Sequence, residues 1–275
     1  MSARLVRARP LMGTLVTIQL DANDMLRDVS SMMAQAFAVM ARIASVMSAH
    51  DAHSDLGRMS RARSGEVMQL DVHTWHVLQA AKHWAAKSHG AFNPALAGKV
   101  LAHKGTRPGL LGHEALSTHL ADVALLDDHC VRMAAPVALD VGGIAKGYAL
   151  DQAAAVLQQR GCQRAILNAG GDLRVVGERR WPVEVRHAGT KLRDRKGCDV
   201  RFMREGALAT SVIDARETQF VRTVAGRGWT WRSATVWARD GMTADILTKW
   251  ALQSSPLCPQ LHTALRAQGA RMWRT

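Results

Sequence analysis

Aromatic side chains are scarce, with one tyrosine and four phenylalanines beside eight tryptophans, 5% of the chain. No aromatic stripe interleaves with basic residues, and no helix-turn-helix or RNP pattern is present. Base-stacking and groove-reading platforms therefore find no support, and no nucleic-acid partner is expected. Cysteine is sparse too. Cys130, Cys162, Cys198 and Cys258 form no CxxC pair, which leaves out the usual zinc and dithiol motifs and fits a reducing compartment. Acidic residues are in deficit: 23 Asp and Glu against 36 Lys and Arg give a net charge of +13. Such a surplus suits nucleic acid, an anionic membrane or a polyanionic small ligand. The basic residues are spread out and thicken only near 58–63, 179–186 and 191–204, as on a solvated surface. No apolar run approaches the ~20 residues of a spanning helix, and the first ten residues lack the apolar stretch of a signal peptide. A cytoplasmic protein without a transmembrane segment is the expectation.

What is present suffices for a core: 48% of the 275 residues are hydrophobic and 21% charged. That length suits one large domain or two small ones; no linker or repeat is visible, so one domain over 1–275 is expected. Residues 13–20 read as a strand. Residues 25–47 carry Val29, Met33, Phe37, Met40, Ala44 and Met47 at helical spacing. Asp71 suits the N-cap of a helix to Ser88, with Gly90 as its stop. A hairpin is expected over Asp127-Asp128, and a helix from the glycine turn at 142–143 to about Arg160. Strands follow at 165–167, 173–176, 182–186, 199–203, 207–211, 219–224 and 229–238, then a helix at 243–253. Strands and helices are segregated rather than alternating, which argues for an α+β fold.

Two glycine turns stand out: Leu139-Asp140-Val141-Gly142-Gly143-Ile144-Ala145-Lys146-Gly147-Tyr148-Ala149, and Leu167-Asn168-Ala169-Gly170-Gly171-Asp172-Leu173. Each pairs Gly-Gly with an aspartate, and the first adds a lysine at a helix start. Glycine lets backbone approach a ligand, and helix-opening amides favour negative charge. A phosphate-bearing ligand and ordinary tight turns both remain open on this pattern. His50 and His53 beside Asp51 read as a polar loop rather than a metal site.

These segments resemble the ApbE family of FAD:protein FMN transferases. Arg9-Pro10-Leu11-Met12-Gly13-Thr14 resembles its R-x-x-M-G-T opening, residues 47–56 its M-S-x-Y-x-x-x-S-E-L segment, and Gly90-Ala91-Phe92-Asn93-Pro94 its G-A-F-D-P. Residues 139–149, with Asp151 following, resemble L-D-x-G-G-I-A-K-G-Y-A. Residues 168–172 resemble N-x-G-G-D, Ala209-Thr210-Ser211 resembles A-T-S, and residues 244–249 resemble A-D-A-L-T-K. The resemblance implies a T-fold-like α/β sandwich with mixed or antiparallel sheets and flanking helices. It implies Mg2+-dependent transfer of the FMN half of FAD to a Thr or Ser hydroxyl of a target flavoprotein, releasing AMP. The acceptor would carry a motif such as D-x-x-S/T-G-A-S/T. An FAD binder without transfer, or an FAD pyrophosphatase giving FMN and AMP, is the alternative.

By the same resemblance Asp245, Thr248 and the Gly143 carbonyl would hold Mg2+. In other members the threonine stands one residue later, where this chain has Lys249. Asp140 would meet the flavin or ribityl chain, and Lys146 the phosphates; Asp245 and Lys146 would be catalytic. Met12, His50, Ala91, Phe92 and Asn93 would help to hold FAD. Asp172 would brace its turn. Many relatives follow A-T-S with H-x-x-D-P-x-T-G, whereas residues 212–232 contain no histidine. Another group, such as Asp214, Glu217 or a metal-bound hydroxide, would then serve as general base, or that role is absent.

Overall fold

The computed structural model describes residues 3–22, 28–96, 116–177, 180–186, 198–212 and 231–274. Most of 212–232, including Asp214 and Glu217, and the expected strand at 219–224 lie outside the described residues. Among those described, the chain forms two compact units, one holding residues up to Ala41 and from Lys146 onward, the other Arg42–Ala145.

The first unit is built on a seven-stranded sheet. Its strands are β1 (Ala3–Leu11), β2 (Thr14–Ala22), β6 (Ala165–Ala169), β7 (Asp172–Val176), β10 (Gly206–Val212), β11 (Ser233–Ala238) and β12 (Arg271–Arg274), in the order β1-β2-β6-β7-β10-β11-β12. Every pairing in it is antiparallel, in keeping with an α+β fold. A two-stranded ribbon, β8 (Trp181–Arg186) with β9 (Cys198–Met203), accompanies the sheet.

Strand β7 is buried along its whole length, and the period of two explains how. Leu173 and Val175 pack with Trp181, Val183 and Met203 of the ribbon. The alternate residues Asp172 and Arg174 meet side chains of one helix instead, Lys146 and Asp151. That helix is α4 (Ala145–Gln159); a second helix, α5 (Gly241–Gln253), packs on β10 and β11. Gly161, at φ 84°, follows the end of α4, a left-handed stop that glycine adopts without strain.

The start of the chain differs from the sequence reading, which placed no strand there. β1 is an edge strand carrying Arg4, Arg7, Arg9 and Pro10. Charge and proline are what an exposed edge tolerates, and they hide the strand pattern. Met12-Gly13, at φ 53° and 71°, forms the tight two-residue turn into β2 that needs two positive φ values.

The second unit contains α2 (Asp55–Met59), α3 (Val72–Lys87) and a three-stranded sheet in the order β3 (Val67–Gln69), β5 (Cys130–Met133), β4 (Val123–Leu125). The hairpin over Asp127-Asp128 is present. Asp71 caps α3 by accepting the His73 N–H at 2.8 Å, and Gly90 follows its end at φ 78°. Lys82, on α3, donates to the carbonyls of Leu120 and Val123 at 2.7 and 2.5 Å, which ties the helix to the segment leading into β4.

The expected helix over 25–47 is α1 (Val29–Val46). It is long and apolar enough to cross a membrane by length and composition, although Ser30, Ser31, Gln35 and Arg42 interrupt its apolar run. Met33, Phe37, Met40 and Ile43 are buried on its inner face, and Met47 is buried just past its end, so the helical spacing marks a core stripe.

Candidate active site

Four of the motifs converge within the first unit. The Met12-Gly13 turn lies where β2 begins, and Val16 pairs with Ala169 at the end of β6. Thr14 packs on Gly170, where a Cβ would sit 2.8 Å from the Thr14 hydroxyl. Asp172 opens β7 beyond Gly171 and accepts the Thr210 N–H of β10 at 3.3 Å. The second glycine turn and the A-T-S strand thus meet through a carboxylate.

Helix α5 carries the last motif, and its start is satisfied by two carboxylates. Asp240 is the N-cap and accepts the Thr243 N–H at 2.7 Å. Asp151, on α4, accepts the Gly241 and Met242 N–H groups at 2.8 and 2.9 Å. Negative charge at a helix N-terminus is stabilised by the amides it meets. Burial nonetheless pushes the Asp151 carboxyl up to about 6, against the pull of those two N–H donors and of Arg174, while Asp240 adds repulsion. Gly147 on α4 and Gly241 on α5 touch backbone to backbone: a Cβ on Gly147 would lie 2.1 Å from the Gly241 oxygen. Only two glycines allow that crossing.

The crossing brings Lys146 to Asp245. The Lys146 ammonium lies 3.1 Å from Asp172 Oδ2 and 3.7 Å from Asp245 Oδ2. Asp245 is 1% exposed and sits inside α5, one turn past the cap. Its Oδ2 accepts the Gly147 N–H at 3.5 Å, and its Oδ1 is buried and accepts no hydrogen bond. Lys249, one turn further on, places Nζ 3.5 Å from that Oδ1. Two lysines and two aspartates thus form one cluster whose formal charges cancel. Burial, then the charge of Asp245, raise the Asp172 pKa above the ordinary carboxylate value; Lys146 and Lys249 oppose this.

A relay of hydroxyls borders the cluster. Lys249 Nζ donates to Ser211 Oγ, Ser211 meets Thr248 Oγ1 at 2.6 Å, and Thr248 donates to the Asp245 carbonyl at 2.7 Å. Because the Thr248 proton goes to that carbonyl, Ser211 is the donor between the two hydroxyls.

Of the residues singled out from sequence, the structure brings Lys146, Asp172 and Asp245 together. Met12 occupies its turn in the left-handed region, uncommon for a residue with a side chain. Thr248 is fully buried and engaged in the relay. The others belong to the second unit. Asp140 Oδ1 accepts the Gly142 N–H at 2.8 Å, bracing the turn that includes Gly143. Asn93 Oδ1 accepts the Ala95 and Leu96 N–H groups at 3.1 and 3.3 Å. Phe92 is buried, Ala91 is partly exposed, and His50 is exposed. Three participants received no role from sequence: Asp151, Ser211 and Lys249. The four-residue spacing of Asp245 and Lys249 on one helix is the signal that could have flagged the last.

The sequence matches the ApbE family profile over residues 12–256. This chain belongs to the ApbE family. Among curated relatives, the FAD:protein FMN transferase of Rhodobacter capsulatus is 31% identical over 187 residues, covering 58% of this chain and 36% of that protein. That of Treponema pallidum is 28% identical over 185 residues, covering 62% and 51%. The matched stretch thus spans about a third to a half of the length of these relatives. Solved ApbE structures share the fold. The flavin transferase ApbE of Vibrio cholerae superimposes with a TM-score of 0.81 at 18% identity, over 100% of this chain and 94% of that one. The ApbE protein of Thermotoga maritima gives 0.79 at 24% identity, over 99% and 94%.

Proposed function

We propose that this ApbE protein transfers the FMN half of FAD to a Thr or Ser hydroxyl of an acceptor flavoprotein. The observation that carries the reading is the Lys146–Asp172–Asp245–Lys249 cluster, formed by three family motifs on one sheet and two helices. The names of the curated relatives support the substrate.

In this reading the acceptor hydroxyl oxygen attacks the phosphorus on the riboflavin side of the FAD pyrophosphate. A phosphoester bond forms, the P–O bond to the bridging oxygen breaks, and AMP leaves carrying that oxygen. The hydroxyl proton passes to solvent. Phosphoryl transfer needs positioning and charge stabilisation more than covalent help from the enzyme. The two ammonium groups, each about a quarter exposed while both aspartates are buried, are suited to meet the pyrophosphate. The carboxylates hold the lysines in place. The acceptor segment is of the D-x-x-S/T-G-A-S/T type, and the A-T-S strand joins the cluster through Thr210 and Ser211.

Mg2+, implied by the resemblance, fits these residues poorly. The ion wants about six oxygen ligands in near-octahedral array at ~2.1 Å. Asp245 Oδ1, the one oxygen of the pair that accepts no hydrogen bond, already faces the Lys249 ammonium. Thr248, expected beside it, spends its proton on its own helix and accepts from Ser211. No group of three His, Cys, Asp or Glu gathers among the described residues. The transfer is therefore written with lysine as the cation.

AMP release from FAD, followed by chromatography with and without an acceptor protein, tests the reading. AMP that forms only with the acceptor supports it. AMP without the acceptor makes the protein a pyrophosphatase, and bound FAD with no AMP makes it a silent binder; both results overturn the transferase.

A further inference from the structure

We infer that Lys249 fills the position beside Asp245 that a divalent cation would occupy, so that this chain meets the FAD pyrophosphate with built-in ammonium groups. The inference deepens the proposed function and, for its FAD part, rests on it. Three observations carry it.

First, Asp245 Oδ1 is a buried carboxylate oxygen that accepts no hydrogen bond, and Lys249 Nζ lies 3.5 Å away. An uncompensated buried charge is costly, and this ammonium compensates it where a metal ligand oxygen would need its ion. Second, the ammonium is anchored. It donates to Ser211, whose own proton is directed to Thr248, and Thr248 is tied to the backbone of the same helix. Lys249 is thus a fixed member of the cluster rather than a long side chain in solvent. Third, the cluster is already neutral. Lys146 bridges Asp172 and Asp245 from one side and Lys249 pairs with Asp245 from the other. A dication added there would meet two ammonium groups with no spare carboxylate among the described residues. The ammonium donates one N–H to Ser211 and pairs with Asp245 by charge, and with about a quarter of its side chain exposed it can also meet an anionic oxygen.

Two titrations test this on the purified protein, with Lys249→Met as a neutral near-isostere and Lys249→Arg as the charge-retaining control. In the first, Mn2+ is titrated without flavin and followed by electron paramagnetic resonance. The expected result is no site in the wild type or Lys249→Arg, and one new site in Lys249→Met that Asp245→Asn in the same background removes. A stoichiometric wild-type Mn2+ site lost in Asp245→Asn would overturn the inference, as would Lys249→Met gaining none. In the second, FAD binding is followed by flavin fluorescence in EDTA and in Mg2+. The wild type should bind equally in both, whereas Lys249→Met should bind at least tenfold more weakly in EDTA and recover in Mg2+. Wild-type affinity rising tenfold with Mg2+ would also overturn it. A wild type that binds no FAD under either condition would sink the proposed function instead, and the Mn2+ titration would still decide the role of Lys249.

Discussion

Replacing Gly147 with alanine tests whether the helix crossing sets the geometry of the cluster. The new Cβ would lie 2.1 Å from the Gly241 carbonyl oxygen and 2.8 Å from the Met242 nitrogen. Carbon and oxygen approach comfortably to ~3.3 Å, so α4 and α5 must part by roughly 1 Å at their contact. Both partners are backbone, and no rotamer change relieves the clash. Overpacking of this kind costs about 1–3 kcal/mol and occasionally more. Alanine returns up to about 1 kcal/mol as the better helix former. A net loss of about 2 kcal/mol is expected, or roughly 4–8 °C in Tm for a chain of this size. The same movement lengthens the 3.7 Å approach of Lys146 to Asp245 and the 3.5 Å bond from the Gly147 N–H. Thermal unfolding and FAD titration on Gly147→Ala should therefore both report a loss. A variant with wild-type Tm and wild-type FAD affinity would refute the reasoning.

Asp151 predicts a pH dependence. Its pKa rises from 3.8 to about 6 in the folded protein, so the native state holds this proton over that window while the unfolded state has lost it. Its contribution to stability is full below the unfolded value and falls as pH rises through the folded one, by about 3 kcal/mol at ~1.4 kcal/mol per unit. Denaturant unfolding of wild type and Asp151→Asn should show their difference shifting against the wild type by about that amount between pH 3.5 and 7.5; a constant difference would contradict it. Arg174→Met leaves Asp151 and Glu205 without their buried partner and should cost about 3–5 kcal/mol in denaturant unfolding; a change below about 0.5 kcal/mol would show the pair to be idle. Asp245→Ala should abolish AMP release from FAD, because Lys146 and Lys249 lose the carboxylate that holds them; wild-type turnover would remove Asp245 from the site. Lys146→Ala should weaken FAD binding but leave riboflavin binding unchanged, since riboflavin lacks the pyrophosphate; equal loss for both ligands would refute a phosphate contact.

The glycine turns, the caps at Asp71 and Gly90 and the hairpin over Asp127-Asp128 were legible because each is decided within a few residues. The motif run also placed Lys146 and Asp245 in one site, which the structure joins at 3.7 Å. What stayed hidden depends on distance in space. Asp172 reads as a brace for its turn, and it does accept the Thr210 N–H, but its closest charge is Lys146 on another element. Asp245 could have been a helix cap by its surroundings in sequence; Asp240 takes that position, which frees Asp245 to face two lysines. The motif comparison assigned a ligand role to Thr248, whereas the fold turns its hydroxyl toward Ser211 and brings the neighbouring Lys249 to the carboxylate. β1 escaped notice because its arginines and Pro10 suit an edge and mask the alternation.

The most direct test of the central claim is intact mass spectrometry of a small protein bearing the acceptor motif after incubation with this chain and FAD. The account predicts an FMN-sized gain on the acceptor, absent when its Thr or Ser is replaced by alanine and absent with Asp245→Ala as the enzyme. An acceptor of unchanged mass, tried also as a cognate flavoprotein and with FAD demonstrably bound, would contradict it.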